Sequence, residues 1–299
     1  MCRFTLYLGP PIRLSTLLLD PSHSLIRQST HAREREEPLN GDGFGVGWYV
    51  PELTPEPAVF RSITPAWNNR NLTNLARVVT APCILAHVRA ATQVSGVNEA
   101  NCHPFRYGPL LCMHNGDVGS FARVRRPLLQ TVSDEAFGNV YGSTDSEHLF
   151  ALVIDELGRR TGAAGADALA DALAAAIWRV VDLVAEHGGG APSYLNLALS
   201  DGRSAVVSRF STDAEHGPES LYVFQGELYV PDRRRGAGPP PGNGSALAGP
   251  SVVVSSERLT EDPGWVEVPR NHLVVLDPDR APVFRACARP PGREVARSA

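Results

Sequence analysis

The sequence predicts an α+β protein in which one sheet packs on another, because two groups of strand-like runs flank two helical segments. Runs of the first group are separated by glycine, proline and asparagine, and they span residues 43–50, 83–90 and 109–116. Runs of the second group span residues 193–200, 205–210, 221–224, 251–256 and 272–277.

Two segments between these groups have the apolar spacing of helices. Residues 146–157 follow Thr144 and Asp145, and both of these residue types can cap the start of a helix. Residues 163–187 are rich in alanine and carry apolar side chains about 3.6 positions apart, which predicts a long packing helix.

The composition is that of a folded globular chain. Of 299 residues, 43% are hydrophobic and 20% are charged, which is close to the globular average. This length allows one large core, and we expect one domain over residues 1–289. Residues 233–250 are rich in glycine and proline and predict a mobile loop, and residues 290–299 predict a disordered tail.

Charge and residue usage exclude several function classes. The formal net charge of -4 and the isoelectric point near 6.1 argue against a nucleic-acid partner, which usually requires a basic surface. The chain contains no lysine. Schiff-base enzymes, pyridoxal-phosphate enzymes and Walker-type P-loops are therefore excluded, since each requires a lysine amine.

The sequence predicts a soluble cytoplasmic protein without a membrane partner. The first twenty residues are interrupted by Gly9, Pro10 and Pro11 and do not read as a signal peptide. No apolar run reaches the length of about 18 residues that a spanning helix needs. Five cysteines without a CxxC motif fit reduced thiols better than a disulfide framework.

Cys2 is the candidate nucleophile, because it becomes the N-terminal residue when Met1 is removed. Its thiolate can attack a carbonyl carbon, while its own α-amine, with a reference pKa of about 8, accepts the proton. Position 2 is equally compatible with a packing residue or a lipidation site. The hypothesis therefore depends on partner residues elsewhere in the chain.

Three further segments supply such partners. Arg89 offers a guanidinium that suits an α-carboxylate, and Asp145 can bind a substrate ammonium. Asn115 and Gly116 place an amide side chain beside an unhindered backbone N–H, the two donors that an oxyanion hole needs. Taken singly, these residues also fit a surface ion pair, a helix N-cap and an Asn-Gly turn. Together they predict a site for a γ-glutamyl amide.

A zinc site is the competing interpretation of four nearby cysteine and histidine residues, Cys102, His103, Cys112 and His114. Zinc ligands are usually two to four residues apart with a turn between them, whereas neighbours on an extended strand point to opposite faces. We therefore expect no metal ligands here, and no cofactor. His148 lies on an apolar helix and is more typical of a packed histidine than of a ligand.

Several motifs resemble those of class II glutamine amidotransferases in order and spacing. They are MCRF, LNGDGFGVGWY, HVRAAT, NCHPF, HNG and STDSE. The segments PIRLSTLLLDPSHSLIRQS, ITPAWNNRNL and GSTDSEHLFAL are similar in particular to the amidotransferase-like subunit of the Dug glutathione-degrading complex and its bacterial relatives. The resemblance extends from Met1 to about Leu157, with SSERL at 255–259 as a weaker later match.

This resemblance implies an N-terminal-nucleophile hydrolase with a four-layer αββα sandwich and no cofactor. It implies Cys2 as nucleophile, Arg89 as the α-carboxylate ligand and Asp145 as the α-ammonium ligand. Asn115 and Gly116 would then form the oxyanion hole.

Two more residues, Asp42 and His103, are implied to support the site from behind. Several members of the family have an arginine three residues before the aspartate of the segment GlyAspGlyPheGly, whereas this chain has Leu39 there. How the nucleophile is supported in this chain therefore stays open.

The resemblance favours hydrolysis of γ-glutamyl amides with release of glutamate, from glutathione-like peptides or from glutamine. No synthase domain is predicted after about residue 210, so the expected partner is a separate subunit, either a metallopeptidase or a synthase. Two alternatives are a γ-glutamyl sulfoxide hydrolase of ergothioneine biosynthesis and a non-catalytic scaffold subunit.

Overall fold

The computed structural model describes residues 2–34, 39–90, 96–160, 165–226 and 251–290. The predicted loop at 233–250 lies outside these residues, as does the predicted tail apart from Pro290. The strands are β1 (Arg3–Arg13), β2 (Phe44–Trp48), β3 (Ala58–Ser62), β4 (Thr80–Val88), β5 (Phe105–Tyr107), β6 (Leu110–Asp117), β7 (Tyr194–Ser200), β8 (Ala205–Arg209), β9 (Tyr222–Gln225), β10 (Val252–Ser255), β11 (Trp265–Glu267), β12 (His272–Asp277) and β13 (Arg280–Ala286). The helices are α1 (Ser15–Leu18), α2 (Leu25–Gln28), α3 (Arg70–Val78), α4 (Phe121–Thr131), α5 (Asp134–Gly138), α6 (Asp145–Gly158) and α7 (Ala166–His187).

The strands form two sheets in which every pairing is antiparallel. The first sheet has seven strands in the order β11-β9-β10-β1-β4-β2-β3. The second has six strands in the order β13-β12-β8-β7-β6-β5. The first sheet therefore joins the four strands nearest the chain start to β9, β10 and β11, whereas the second joins β5 to β8 with the last two strands.

Three apolar clusters define four layers. One cluster lies between the sheets and includes Phe4, Leu85 and Met113. A second cluster packs α1, α2 and α3 on the outer face of the first sheet, and a third packs α4, α6 and α7 on the outer face of the second. This arrangement confirms the expected αββα sandwich. Within the part of the chain that the structure describes, no helix is long and apolar enough to cross a membrane.

The predicted elements are present, with differences at their ends. The eight predicted strands correspond to β2, β4, β6, β7, β8, β9, β10 and β12. The helix predicted over residues 146–157 is α6, and Thr144 caps it by accepting a hydrogen bond from Glu147 N at 3.3 Å. The helix predicted over residues 163–187 starts at Ala166, directly after Gly165.

Both predicted helices are present as α6 and α7, and further helices that were not predicted cover the sheets. The described residues contain seven helices in all, because short amphipathic segments such as α3 and α4 also cover the sheets. These segments lack the length that makes a helical period obvious in sequence.

The first strand, β1, was missed because its sequence contains Gly9, Pro10 and Pro11. The pairing of β1 with β4 shifts register between Leu8 and Ile12, so the prolines lie in an irregular stretch of the ladder. Residues before this stretch pair with β4 on one side and with β10 on the other. The chain start is therefore anchored in the middle of the first sheet.

Alternate glycines in β2 allow close approach of the second sheet. A Cβ at Gly45 would lie 2.0 Å from the carbonyl oxygen of His103, and one at Gly47 would lie 2.5 Å from Leu111 Cδ1. Since real Cβ atoms do not approach a backbone oxygen this closely, only glycine fits at position 45. The motif GFGVG thus sets the spacing between the two sheets beside His103.

We predict that Gly45→Ala destabilises the protein by about 3 kcal/mol or more, the upper end of overpacking costs, because a backbone carbonyl must move. Gly158→Ala is the matched control, since a Cβ at the end of α6 would meet no atom within 4 Å. That change should be neutral or stabilising by about 0.5–1 kcal/mol. Thermal unfolding of the two variants measures both effects, and equal melting temperatures would contradict the close approach.

Candidate functional site

Three adjacent strands of the first sheet bring the predicted residues of that sheet to one edge. Arg3 pairs with Val88 and Val88 pairs with Phe44, so the residues one position beyond these lie side by side at the ends of β1, β4 and β2. Those residues are Cys2, Arg89 and Gly43. The backbone N–H of Arg89 donates to Gly43 O at 2.8 Å, which extends the ladder beyond the strands.

Cys2 lies directly before β1 and is partly buried. Its Sγ atom is 3.7 Å from the carbonyl oxygen of Ala90, and its own carbonyl accepts a hydrogen bond from Arg3 Nη1 at 2.9 Å. Burial raises the pKa of the Cys2 thiol, and the positive charges of Arg89 and Arg3 offset part of that rise. The thiol therefore needs a base to become a nucleophile at neutral pH.

Arg89 and Asp42 are held together through their backbones. Asp42 N donates to Arg89 O at 3.0 Å, and Arg89 Nη1 donates to Asp42 O at 3.4 Å. The Arg89 side chain is buried, and its positive charge offsets part of the rise that burial causes in the pKa of the Cys2 and Cys102 thiols. Asp42 thus lies beside Arg89, the expected anion ligand.

Asn115 and Gly116 lie near the end of β6 in the second sheet. The Asn115 side chain is buried, and within the described part of the chain neither of its amide atoms has a hydrogen-bond partner. A buried amide without partners is unusual in folded proteins, and a ligand that supplies one explains it. Gly116 has a φ of 145°, and a Cβ there would lie 1.8 Å from Tyr194 O, so only glycine fits.

Asp145 is the first residue of α6 and lies against the end of β6. Its Oδ2 accepts from Val118 N at 2.8 Å and its Oδ1 accepts from Ser146 N at 2.8 Å. Burial raises the pKa of the neighbouring Asp117, and the negative charge of Asp145 raises it further. Two carboxylates are thus close together next to Gly116, an arrangement that favours a cation.

Histidines connect the edges of the two sheets. His87 of β4 donates from Nε2 to the carbonyl oxygen of His114 of β6 at 3.2 Å, one residue before Asn115. Burial lowers the pKa of His87 to about 3, so the ring is neutral and its Nε2 carries the proton. Arg89 lies two residues after His87. The structure therefore brings the Cys2 and Arg89 edge against the Asn115 and Gly116 edge.

His103 packs in the same interface. Its ring centroid is 4.1 Å from that of His87 and 4.5 Å from that of Phe105. Burial holds the pKa of His103 well below its usual range, and the positive charge of Arg89 acts in the same direction. A neutral ring in this position supports His87 and does not act as an acid at neutral pH.

The zinc alternative finds no geometric support. Cys112 packs in the helix-covered core of the second sheet, whereas His103 packs between the sheets. In the ranges that the structure describes, no group of three or more histidine, cysteine or acidic residues could hold a metal ion. His148 packs on Phe121 with its ring centroid 5.0 Å away, and its Nδ1 donates to Thr144 O at 2.7 Å, as expected of a packed histidine.

Sequence reasoning missed a buried ionic network behind Cys2. Arg3 Nε donates to Glu257 Oε1 at 2.9 Å, and His23 Nε2 donates to Glu257 Oε2 at 2.6 Å. All three side chains are at most 3% exposed. Arg3 and Glu257 stand in the motifs MCRF and SSERL, but no local sequence pattern indicates that these two residues form an ion pair. Leu39 is exposed.

Asn196 is a second missed residue. It pairs directly with Asn115 across β6 and β7, its Nδ2 donates to Glu219 O at 2.9 Å, and its Oδ1 has no partner within the described chain. The run SYLNLALS indicates only a strand. The one available signal was an amide side chain in the middle of an otherwise apolar run.

We predict that Glu257 makes stability depend on pH in acid. Burial alone would raise its pKa, but hydrogen bonds from His23 and from the Arg33 N–H, together with the Arg3 charge, lower the pKa to about 2. A carboxylate with a lowered pKa contributes stability above its unfolded pKa of about 4.3, and this contribution is lost as pH falls toward 2. The contribution is on the order of 3 kcal/mol.

Urea unfolding of the wild type and of Glu257→Gln between pH 6 and pH 2.5 measures this effect. The difference in unfolding free energy between the two proteins should shrink as pH falls through that window. A difference that stays constant with pH would show that Glu257 is not ionised in the folded protein.

Comparisons with known proteins agree with the fold and motifs. A family model described as class-II glutamine amidotransferases matches residues 16–216. The probable glutamine amidotransferase DUG3 of Saccharomyces cerevisiae is 39% identical over 306 residues, which cover 92% of this chain and 82% of that protein. The gamma-glutamyl-hercynylcysteine sulfoxide hydrolase of Mycobacterium tuberculosis is 29% identical over 276 residues, which cover 92% of each chain.

Solved structures show the same architecture. A glutamine aminotransferase class-II domain protein from Silicibacter pomeroyi aligns with a TM-score of 0.66 and 29% identity over 96% of this chain and 100% of that one. The glutamine phosphoribosylpyrophosphate amidotransferase of B. subtilis aligns with a TM-score of 0.57 and 14% identity over 96% of this chain and 49% of that one. The second likeness concerns the fold alone.

Proposed function

Since the chain belongs to the class II glutamine amidotransferases, we propose that it hydrolyses γ-glutamyl amide bonds with Cys2 as nucleophile and releases glutamate. The observation that carries this proposal is the position of Cys2 and Arg89 at one sheet edge, opposite Asn115 and Gly116 at the edge of the facing sheet. Asp145 lies beside the second edge at the start of α6.

In the first step, the Cys2 sulfur attacks the γ-carbonyl carbon, and the α-amine that Met1 removal exposes accepts the thiol proton. Negative charge develops on the carbonyl oxygen, where the Asn115 amide and the Gly116 N–H are the proposed donors. The unpartnered Asn115 amide supports this role, because it incurs no loss of an existing hydrogen bond when the substrate arrives.

Arg89 and Asp145 are the proposed anchors for the two charged groups of the glutamyl end. Arg89 binds the α-carboxylate and Asp145 binds the α-ammonium, with Asp117 adding a second negative charge. Collapse of the tetrahedral species expels the amine, which takes the proton from the Cys2 α-amine. Water then hydrolyses the γ-glutamyl thioester and restores the thiol.

The proposed substrates are glutathione-like γ-glutamyl peptides or glutamine. The 39% identity to DUG3 over most of both chains supports this class, and the motifs shared with the Dug glutathione-degrading complex favour peptides over glutamine. A partner subunit that uses the released product, either a metallopeptidase or a synthase, belongs to the same proposal.

A second candidate is hydrolysis of a γ-glutamyl sulfoxide of the ergothioneine pathway. It is favoured by relatives that bear this name and cover 92% of this chain, although their identity is 28 to 29%. The same glutamyl anchors would serve both substrates, so the leaving amine alone separates the two candidates.

We predict that the Met1-processed protein releases glutamate from glutathione and γ-glutamylcysteine faster than from glutamine, and that Cys2→Ala abolishes release. Enzymatic glutamate detection with the three substrates side by side measures this. Preference for glutamine would instead indicate an ammonia-using partner. No release from any of them would favour the sulfoxide substrate, or a scaffold if that substrate also fails.

We predict that Asn115→Ala lowers kcat by about 100- to 1,000-fold, the usual cost of one oxyanion-hole donor. KM should change little, because the proposed glutamyl anchors Arg89 and Asp145 are intact. Steady-state kinetics with the preferred substrate measures both constants, and circular dichroism checks the fold. A raised KM with unchanged kcat would place Asn115 in ground-state binding instead.

A further inference from the structure

We propose that Arg3, Glu257 and His23, called here the Arg3 network, position the nucleophile by holding the main chain of Cys2. The proposal rests on the proposed function, because it assigns a positioning role for the step in which Cys2 attacks. None of the three residues contacts the substrate in this proposal.

The network lies on the opposite face of the first sheet from the Cys2 thiol. Successive side chains of a strand point to opposite faces, and Phe4 packs between the two sheets. Cys2 therefore points toward the facing sheet, whereas Arg3 points toward the helices that cover the outer face. From there Arg3 Nη1 donates to the carbonyl oxygen of Cys2 at 2.9 Å.

Glu257 fixes the Arg3 guanidinium. Its Oε1 accepts from Arg3 Nε at 2.9 Å, and its Oε2 accepts from His23 Nε2 at 2.6 Å and from Arg33 N at 2.9 Å. Gln28 Nε2 donates to the carbonyl oxygens of His23, at 3.0 Å, and of Glu257, at 3.3 Å. The carboxylate therefore has three donors and a fixed backbone, so Arg3 has little freedom to move.

The segment that carries Glu257 is itself paired with the chain start. Ser256 N donates to Phe4 O at 3.0 Å, and Phe4 N donates to Ser256 Oγ at 3.0 Å. These bonds continue the pairing of β10 with β1 up to the residue next to Arg3. Cys2 is thereby located by two elements, namely the strand ladder and the Arg3 hydrogen bond.

Charge gives the network a second effect. The positive charges of Arg89 and Arg3 both favour the thiolate of Cys2, and the Arg3 guanidinium is also hydrogen-bonded to the Cys2 carbonyl oxygen. Glu257 neutralises most of the Arg3 charge at a distance of 2.9 Å. Removing one member of this ion pair therefore changes the charge near Cys2, and the sign depends on which member is removed.

The test uses Met1-processed protein and three variants, Glu257→Gln, Arg3→Met and the combination of both. Glu257→Gln leaves the Arg3 charge uncompensated, so the pH midpoint for alkylation of Cys2 by iodoacetamide should fall by about 0.5–1 unit. Arg3→Met leaves the Glu257 charge, so the midpoint should rise by about the same amount. The double variant should titrate close to the wild type.

Mass spectrometry of the Cys2 peptide makes the alkylation readout specific, since the other four cysteines are buried. In all three variants kcat should fall about 10- to 100-fold, because a nucleophile misplaced by about 1 Å loses rate on that scale. KM should stay within about threefold of the wild type, since the glutamyl anchors are unchanged. The double variant keeps the experiment informative if a single variant fails to fold, because it buries no unpaired charge.

Asp155→Asn is the matched control for a purely structural effect. Asp155 is a buried carboxylate on α6 that accepts hydrogen bonds from Arg179 Nη1 at 2.5 Å and Ser133 N at 2.9 Å. This change should lower the melting temperature while kcat and the alkylation midpoint stay within about twofold and 0.2 unit of the wild type. A kcat loss in Asp155→Asn equal to that of the network variants would overturn the positioning role.

Two further outcomes also overturn the proposal. One is a folded double variant with wild-type kcat, and the other is a shift of both single-variant midpoints in the same direction. Failure of the proposed function can be told apart from failure of the Arg3 network proposal. In the first case wild-type protein would release no glutamate, while the pH midpoints for Cys2 alkylation in the two single variants would still shift in opposite directions.

Discussion

The pairing of β1 with β4 is the interaction on which the rest of the structure depends. It places Cys2 directly before the first residue of a central strand, beside Arg89, which follows the last residue of β4. A residue at a chain start is normally exposed to fraying, since terminal residues lose few contacts when they move. Here the ladder on both sides of β1 prevents that, because β10 pairs with the same strand.

The two sheets divide the residues of the proposed site between them. The first sheet holds Cys2, Asp42 and Arg89, and the second holds Asn115 and Gly116 with Asp145 at its edge. The distance between the two sets depends on glycines in β2, which let the backbone at His103 come within contact of the first sheet. A neutral His87 then bridges the remaining gap to the carbonyl of His114. Packing and hydrogen bonding thus set the spacing together.

Most residues of the proposed site could be named from the sequence because they lie in short motifs at strand ends, where local pattern and position coincide. The Asn115 and Gly116 pair and Asp145 at the start of α6 could be found this way, and the structure brings their segments together. Roles for these residues remain proposals that the predicted variants test.

The parts that sequence reasoning missed are those that depend on distant pairing. β1 was missed since its prolines contradict a central strand unless the register shift is known. The partnership of Arg3 with Glu257 joins residues 254 positions apart, and no periodicity or spacing indicates it. Asn196 was hidden inside an ordinary strand pattern and is revealed only by its register with Asn115.

The central position of β1 has a consequence for how the protein loses its site. Terminal segments of many proteins detach in low-energy local openings while the remainder stays folded. Here the segment next to Cys2 is also the middle strand of the seven-stranded sheet. Its release therefore exposes the apolar cluster between the sheets and the apolar cluster under α1, α2 and α3. We therefore expect Cys2 to keep its position until the whole sandwich opens, so that loss of the proposed site on heating coincides with cooperative unfolding.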